Sequence, residues 1–203
     1  MFPAISVSRL KISRGKQNNV IQWRREGCSA SLCSNYSQNL NLMEGLSVNT
    51  GVYLLPMTAE MYHEYFKEYQ NDLDLYIDKS TYQTYTYEEE KVNRYIQRQI
   101  DLKRKVFAIM FNGEMVGEIV IKNIVEHECA TLGLAMKNTK YKDRGFGSKA
   151  EQLAIQYVFN ELDIPVLYAD SILSNTRSQH VLEKVGFKFI KEDGEFRYYR
   201  IDR

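Results

Sequence analysis

The chain has 203 residues, 44% apolar and 26% charged, which suits one folded domain with a real core and excludes a disordered polymer. A formal net charge of +1 gives no general attraction to nucleic acid or to a membrane surface, and no apolar run reaches the ~18 residues of a spanning helix. Cys28, Cys33 and Cys129 are odd in number and lack zinc spacing, so they read as free thiols of a reducing compartment, with the cytoplasm as the expected location and no metal.

The charge is uneven along the chain. Residues 1–50 carry a local +4 from six Lys/Arg against Glu26 and Glu44, which leaves −3 for the rest. Residues 1–46 show no helical or strand period, and Pro3 and Gly15 interrupt any amphipathic helix that a transit peptide would need. They are expected to form a poorly ordered basic extension, with Met43 as an alternative start, ahead of one domain at 47–203.

Within the domain, "GVYLLPM" predicts a short strand ended by Pro56, which cannot donate to a ladder. Thr58 caps a helix in which Met61, Tyr62, Tyr65, Phe66 and Tyr69 recur at helical spacing. A tyrosine-rich stretch, Asn71 to Tyr85, follows. Thr86 and Glu89 have the spacing of a capping box and open a second helix with Val92, Tyr95, Ile96 and Ile100 on one face. "KVFAIMFNGEMVGEIVIKN" predicts a hairpin turning at Asn112-Gly113, and "CATLGLAMKN" a further strand. Beyond the glycines of "KDRGFG", Ala150, Leu153, Ala154, Tyr157, Val158 and Leu162 mark one face of a long helix. "VLYADSIL" is apolar enough for a central strand, Asn175 to Val185 a short helix stopped by Gly186, and "KFIKEDGEFRYYRI" a closing hairpin at Asp193-Gly194. The order β-α-α-β-β-β-α-β-α-β-β contains one strand–helix–strand crossover, Cys129–Leu173, in an otherwise antiparallel arrangement.

Gly145 and Gly147 precede a helix start, where unpaired amides and the positive end of the dipole suit a phosphate. Lys142, Arg144 and Lys149 add charge. "GFGSKA" formally fits the dinucleotide fingerprint, but that fold needs a run of parallel βαβ units, and only one crossover is available. The triphosphate pattern G-x-x-x-x-G-K-S/T is absent.

Gly51 to Arg203 resembles the GNAT superfamily of acyl-CoA-dependent N-acetyltransferases. "KDRGFG", Lys142 to Gly147, matches its Q/R-x-x-G-x-G/A loop with Lys in the first place. "NTRSQHVLEKVGF", Asn175 to Phe187, is similar to its N-x-x-S/A-x-x-V/L-x-E-K-x-G-F segment, in the form of the branch containing ribosomal-protein N-terminal acetyltransferases. The resemblance implies an α/β (α+β) fold: a mixed, mostly antiparallel sheet with a splayed parallel pair, flanked by helices. It implies acetyl-CoA as co-substrate, held by Leu134, Ala135 and Met136 along its pantetheine arm and by Lys142, Asp143, Arg144, Gly145, Phe146, Gly147 and Ser148 at its pyrophosphate, with Asn175 as a positioning residue or a helix cap. A β-bulge at Leu134–Met136 would splay this strand from "VLYADSIL".

Acetyl transfer needs a base to deprotonate an alkylamine of pKa ~10, donors for the oxyanion, and a proton for a leaving thiolate of pKa ~8.5. The tyrosine that many members use as acid is Leu182 here, and Ser178 matches the serine that the ribosomal-protein branch places near the sulfur. Glu128, on the same strand face as Ala130, is the expected base; Glu118, Glu126 and Asp170 are further candidates. Tyr76, Tyr82, Tyr85 and Tyr87 could stack on a cationic or planar amine. The implied activity is N-acetylation of a primary amine of a small molecule or a protein N-terminus. The alternatives are an aminoglycoside- or polyamine-type acetyltransferase and a non-catalytic acyl-CoA-binding module. Nucleic acid and membrane are not expected as partners, and a homodimer is allowed.

Overall fold

The computed structural model describes residues 51–203. The basic extension at 1–46, Cys28 and Cys33 therefore lie outside the described residues; Cys129 is a free thiol. The elements are β1 (Val52–Pro56), α1 (Ala59–Glu68), α2 (Glu89–Asp101), β2 (Lys105–Phe111), β3 (Glu114–Val125), β4 (Cys129–Met136), α3 (Phe146–Gln156), β5 (Val166–Ile172), α4 (Thr176–Lys184), β6 (Lys188–Glu192) and β7 (Phe196–Asp202). The seven strands form one sheet in the order β1-β2-β3-β4-β5-β7-β6, with β4 and β5 the parallel pair. A π-helical turn, Tyr157–Glu161, continues α3, and short 3₁₀ turns interrupt the tyrosine-rich segment.

Local chemistry sets these boundaries. Thr58 accepts from the Met61 amide at 3.2 Å and starts α1. Asn112 and Gly113 both take positive φ, 49° and 82°, which the tight β2–β3 turn requires. Asp193 accepts from the amides of Glu195 (3.0 Å) and Phe196 (2.9 Å) and closes the β6–β7 turn. The capping box does not form. Glu88, and not Thr86, is the residue before α2, and its side chain makes no cap bond. Thr86 lies two residues too early, and the helix start is served instead by the charges of Glu89 and Glu90 near its positive end.

Alternation along β2 and β3 divides the core into two layers. Phe107, Ile109, Ile119 and Ile121 join Ala150, Leu153, Ala154 and Val158 of the α3 region in one cluster. Ala108, Met110 and Met115 join Tyr62, Tyr65, Phe66 and Val92 of α1 and α2 in the other. Each fully buried Leu, Ile or Val contributes about 1.5–3 kcal/mol. The first layer fixes α3 against the sheet and the second fixes α1 and α2, so a site at the sheet's centre has rigid walls on both sides.

Candidate active site

The site begins where two paired strands part. β4 pairs with β5 only from Cys129↔Val166 to Leu132↔Ala169. Beyond that point β4 stays with β3 as far as Met136↔Gly117, while β5 stays with β7 as far as Ile172↔Phe196. The expected splay is present, but no bulge at Leu134–Met136 causes it: the β3–β4 register is unbroken from Lys122↔Thr131 to Gly117↔Met136, and its one irregularity lies between Lys122 and Val125. The strands part because each follows its other neighbour.

A cleft of about 400 Å³ fills the gap. It is lined by Leu134, Ala135 and Met136 of β4, by Lys142, Asp143, Gly145, Phe146, Gly147 and Ser148 of the glycine loop and first turn of α3, and by Asn175 and Ser178 at the start of α4. Eleven of the thirteen sequence-derived site residues are thus brought together. Arg144 is not among them; its guanidinium lies over the Phe146 ring at 4.9 Å and the Phe111 ring at 6.0 Å. Nor is Glu128, which sits exposed in the β3–β4 turn, before the paired part of β4, while the cleft lies at that strand's far end. Sharing a strand face with Ala130 does not bring Glu128 to the splay.

The loop is shaped for an anion. Gly145, with φ 79°, is the residue before α3, a conformation that strains any L side chain. The first intrahelical bond is Lys149 N–H to the Gly145 carbonyl, so the amides of Phe146, Gly147 and Ser148 come ahead of it. A Cβ on Gly147 would meet only the Leu134 methyls, at 3.9 and 4.0 Å, so that position is empty toward the cleft. Coenzyme A has groups that fit here: phosphates for the helix start, and an amide-bearing arm for the unpaired edge of β4.

At the opposite wall, Asn175 caps α4 by accepting from the Ser178 amide at 3.1 Å. Gln179 reaches back to the carbonyls of Ile172 (3.0 Å) and Leu173 (2.9 Å), which fixes the start of α4 to the end of β5. Leu182 is buried and lines the cleft, so no phenol is available at that place.

Two features were not foreseen. Asp72, from the tyrosine-rich segment, pairs with Lys142 and with Arg177 (3.4 Å), and Arg177 also meets Asp74 at 3.0 Å, which ties that segment across the mouth of the cleft. The second is Glu151 on α3, a buried carboxyl lining the cleft, whose Oε2 has no hydrogen-bond partner. Burial alone pushes its pKa up to about 8.

On the α1/α2 face, Glu118 of β3 stands opposite Ala135 in the ladder and is fully buried. It accepts from the Tyr95 hydroxyl at 3.0 Å. Burial raises its pKa to about 7, opposed by that hydrogen bond and by the Arg104 charge. The tyrosines named from sequence pack more than they line: Tyr85 lies against Tyr69 and Phe66, the Tyr87 hydroxyl bonds His63 Nδ1 at 3.0 Å, and Tyr76 meets Tyr82 edge-on at 5.4 Å. Among the described residues no helix is long and apolar enough to cross a membrane.

The chain matches the family model described as an acetyltransferase (GNAT) domain over residues 52–188. Similar solved structures include the Campylobacter jejuni N-acetyltransferase PseH, with a TM-score of 0.57 and 19% identity over 75% of this chain and 99% of that one. RimL, the ribosomal L7/L12 alpha-N-protein acetyltransferase in complex with coenzyme A, gives 0.62 and 15% identity over 77% and 97%. Spermidine N-acetyltransferase from Vibrio cholerae, in complex with CoA and spermine, gives 0.58 and 14% over 76% and 96%. At these identities the likeness is one of fold. No curated protein matches the chain in sequence.

Proposed function

The chain belongs to the GNAT acetyltransferase family, and from that premise we propose that it transfers an acetyl group from acetyl-CoA to a primary amine of a small molecule or a protein N-terminus. The observation that carries the proposal is the cleft itself. A strand with one unpaired edge runs from the β4–β5 junction to a helix start whose glycine leaves room for a phosphate. The family match supports acyl transfer. The polyamine and ribosomal-protein acetyltransferases among the similar structures support an amine acceptor. The free thiol of Cys129 suits the cytoplasm.

Three chemical needs have residues to meet them. Glu118 does not itself line the cleft but stands in the ladder opposite Ala135, which does, and burial raises its pKa to about 7, so it is the group we assign to take the proton of the incoming ammonium, relayed through water. Backbone N–H groups of the splayed β4 edge hold the oxygen that gains charge. Ser178, half-buried in the cleft on an α4 start pinned by Asn175, donates to the departing sulfur. Leu182 leaves no other hydroxyl at that position.

The test is thiol release from acetyl-CoA across a panel of polyamines, aminoglycosides and peptides with free N-termini. Turnover with at least one primary amine is expected. Acetyl-CoA binding with turnover of none would make this a non-catalytic module. With an accepted amine, Ser178→Ala is expected to lower kcat by roughly 10–10³-fold while the acetyl-CoA Kd changes little. An unchanged kcat where chemistry limits turnover would return Ser178 to packing.

A further inference from the structure

Glu151 is a buried carboxyl of the cleft that the reaction above does not use. It stands four residues after Gly147, about one turn along α3, so the two share a helix face about 6 Å apart along the axis. That face also carries Ser148, three residues before Glu151, and all three line the cleft. The apolar part of the cleft lining includes Leu134 of β4, and Val181 and Leu182 of α4. Glu151 is 4% exposed, and its Oε2 has no hydrogen-bond partner. A buried carboxyl left so costs stability, and a hydrophobic residue of that size would fill the place better. What the position gains is a polar contact for an occupant.

The occupant follows from the direction of the face. A ligand with phosphate at the start of α3 lays its next segment one turn further along, over Glu151. In coenzyme A that segment is the arm with two secondary amides. A neutral carboxyl presents one O–H donor and one carbonyl acceptor, so it can donate to the C=O of such an amide or accept from its N–H. We propose that Glu151 recognises the amide-bearing arm of the acyl carrier, its O–H donating to an arm carbonyl. This rests on the acetyl-CoA reading above.

Protonation follows from position. The charged and titratable groups that line the same cleft are Asp72, Tyr141, Lys142 and Asp143 on the loop side, Lys122 of β3, Asp170 of β5, and Arg177, His180 and Lys184 of α4. None of them moves Glu151, whose shift to about 8 comes from burial alone. The group is therefore a donor at pH 7 and an anion facing an anionic ligand at pH 9.

Calorimetry with acetyl-CoA and with adenosine 3′,5′-bisphosphate, which lacks the arm, tests this on the parent, Glu151→Leu and Glu151→Gln. Glu151→Leu is expected to weaken acetyl-CoA about tenfold, leave the bisphosphate unchanged and raise the Tm of the free protein. Glu151→Gln, which keeps a donor and an acceptor, should bind within about threefold of the parent. The parent should bind acetyl-CoA more weakly at pH 9 than at pH 7, and Glu151→Gln should lose that difference. Acetyl-CoA binding by Glu151→Leu equal to the parent's, or equal losses for both ligands, would overturn the proposal. If the leucine variant does not fold, a parent-like pH dependence in Glu151→Gln overturns it instead. A parent that fails to bind acetyl-CoA while folding normally would overturn the acetyl-CoA reading, and this proposal with it.

Discussion

The two faces of the sheet each bury one carboxyl and treat it differently. On the α3/α4 face Glu151 has no hydroxyl donor for its Oε2 and no charge that shifts it. On the α1/α2 face Glu118 also leaves its Oε2 without a partner, but its Oε1 accepts from Tyr95 and it feels the Arg104 charge. One carboxyl is kept neutral and the other is poised near neutrality. The face proposed to take the cofactor thus offers backbone amides and glycines beside one buried carboxyl. The face proposed to take the acceptor is built from side chains supporting one another, so its chemistry depends on which residues they are.

Glu118→Gln should show the largest effect. If Glu118 is the base, kcat falls by about 10²–10⁴-fold while the acetyl-CoA Kd is unchanged. The parent's rate should rise with pH through about 7, as the carboxyl loses its proton, and the glutamine variant should lose that limb. The stability sign is opposite. A carboxyl raised from the usual range to about 7 holds its proton better folded than unfolded, so its stabilisation is present at low pH and is lost as pH rises through about 7. Unfolding of the parent by urea at pH 5 and pH 8, beside Glu118→Gln, measures this. A glutamine variant with the parent's kcat and pH profile would make Glu118 a core residue and dissolve the contrast between the faces.

Gly147→Val probes the other face. A Cβ there meets only the Leu134 methyls at 3.9 and 4.0 Å, so the variant should fold, while its branches stand where the anion would. Acetyl-CoA binding should weaken at least tenfold, about 1.4 kcal/mol. NADH and ATP should neither bind the parent nor protect it from thermal unfolding. A valine variant that folds and binds acetyl-CoA like the parent would reduce the loop to a turn.

The glycine loop and helix starts around the cleft were legible in the sequence because their signals are local. Gly145 and Gly147 mark a helix start, Asn175 and Gly186 bound a helix, and Asn112-Gly113 a hairpin; each depends on backbone preference within a few residues. Even there two residues escaped. Arg144 found aromatic rings instead of the cleft, and Glu151 reads in sequence as one more charge on an amphipathic helix. The acceptor side depends on contacts between distant positions, such as Tyr95 with Glu118 and Asp72 with Lys142, and no local period encodes those. Glu128 was misplaced for a related reason. The period of two gives a strand's face but not where along the strand its neighbour departs, and here that is after Leu132.

The smallest effect expected is that of Lys142→Ala, and its smallness is informative. Lys142 is 10% exposed and ion-paired with Asp72, itself 17% exposed and shared with Arg177. An incoming phosphate must therefore compete with Asp72 for the same cation, and the gain is the difference between two pairings. Water and salt at the mouth of the cleft reduce it further. Acetyl-CoA affinity should fall by only about two- to fourfold, a change that shrinks as ionic strength rises. Asp72→Asn should act in the opposite direction, because it leaves Lys142 free for the ligand. These titrations at low and high salt decide how the anion is held. If Lys142→Ala costs more than Gly147→Val, side-chain charge and not the backbone of α3 supplies most of the binding, and the cofactor side is then no less dependent on side chains than the acceptor side.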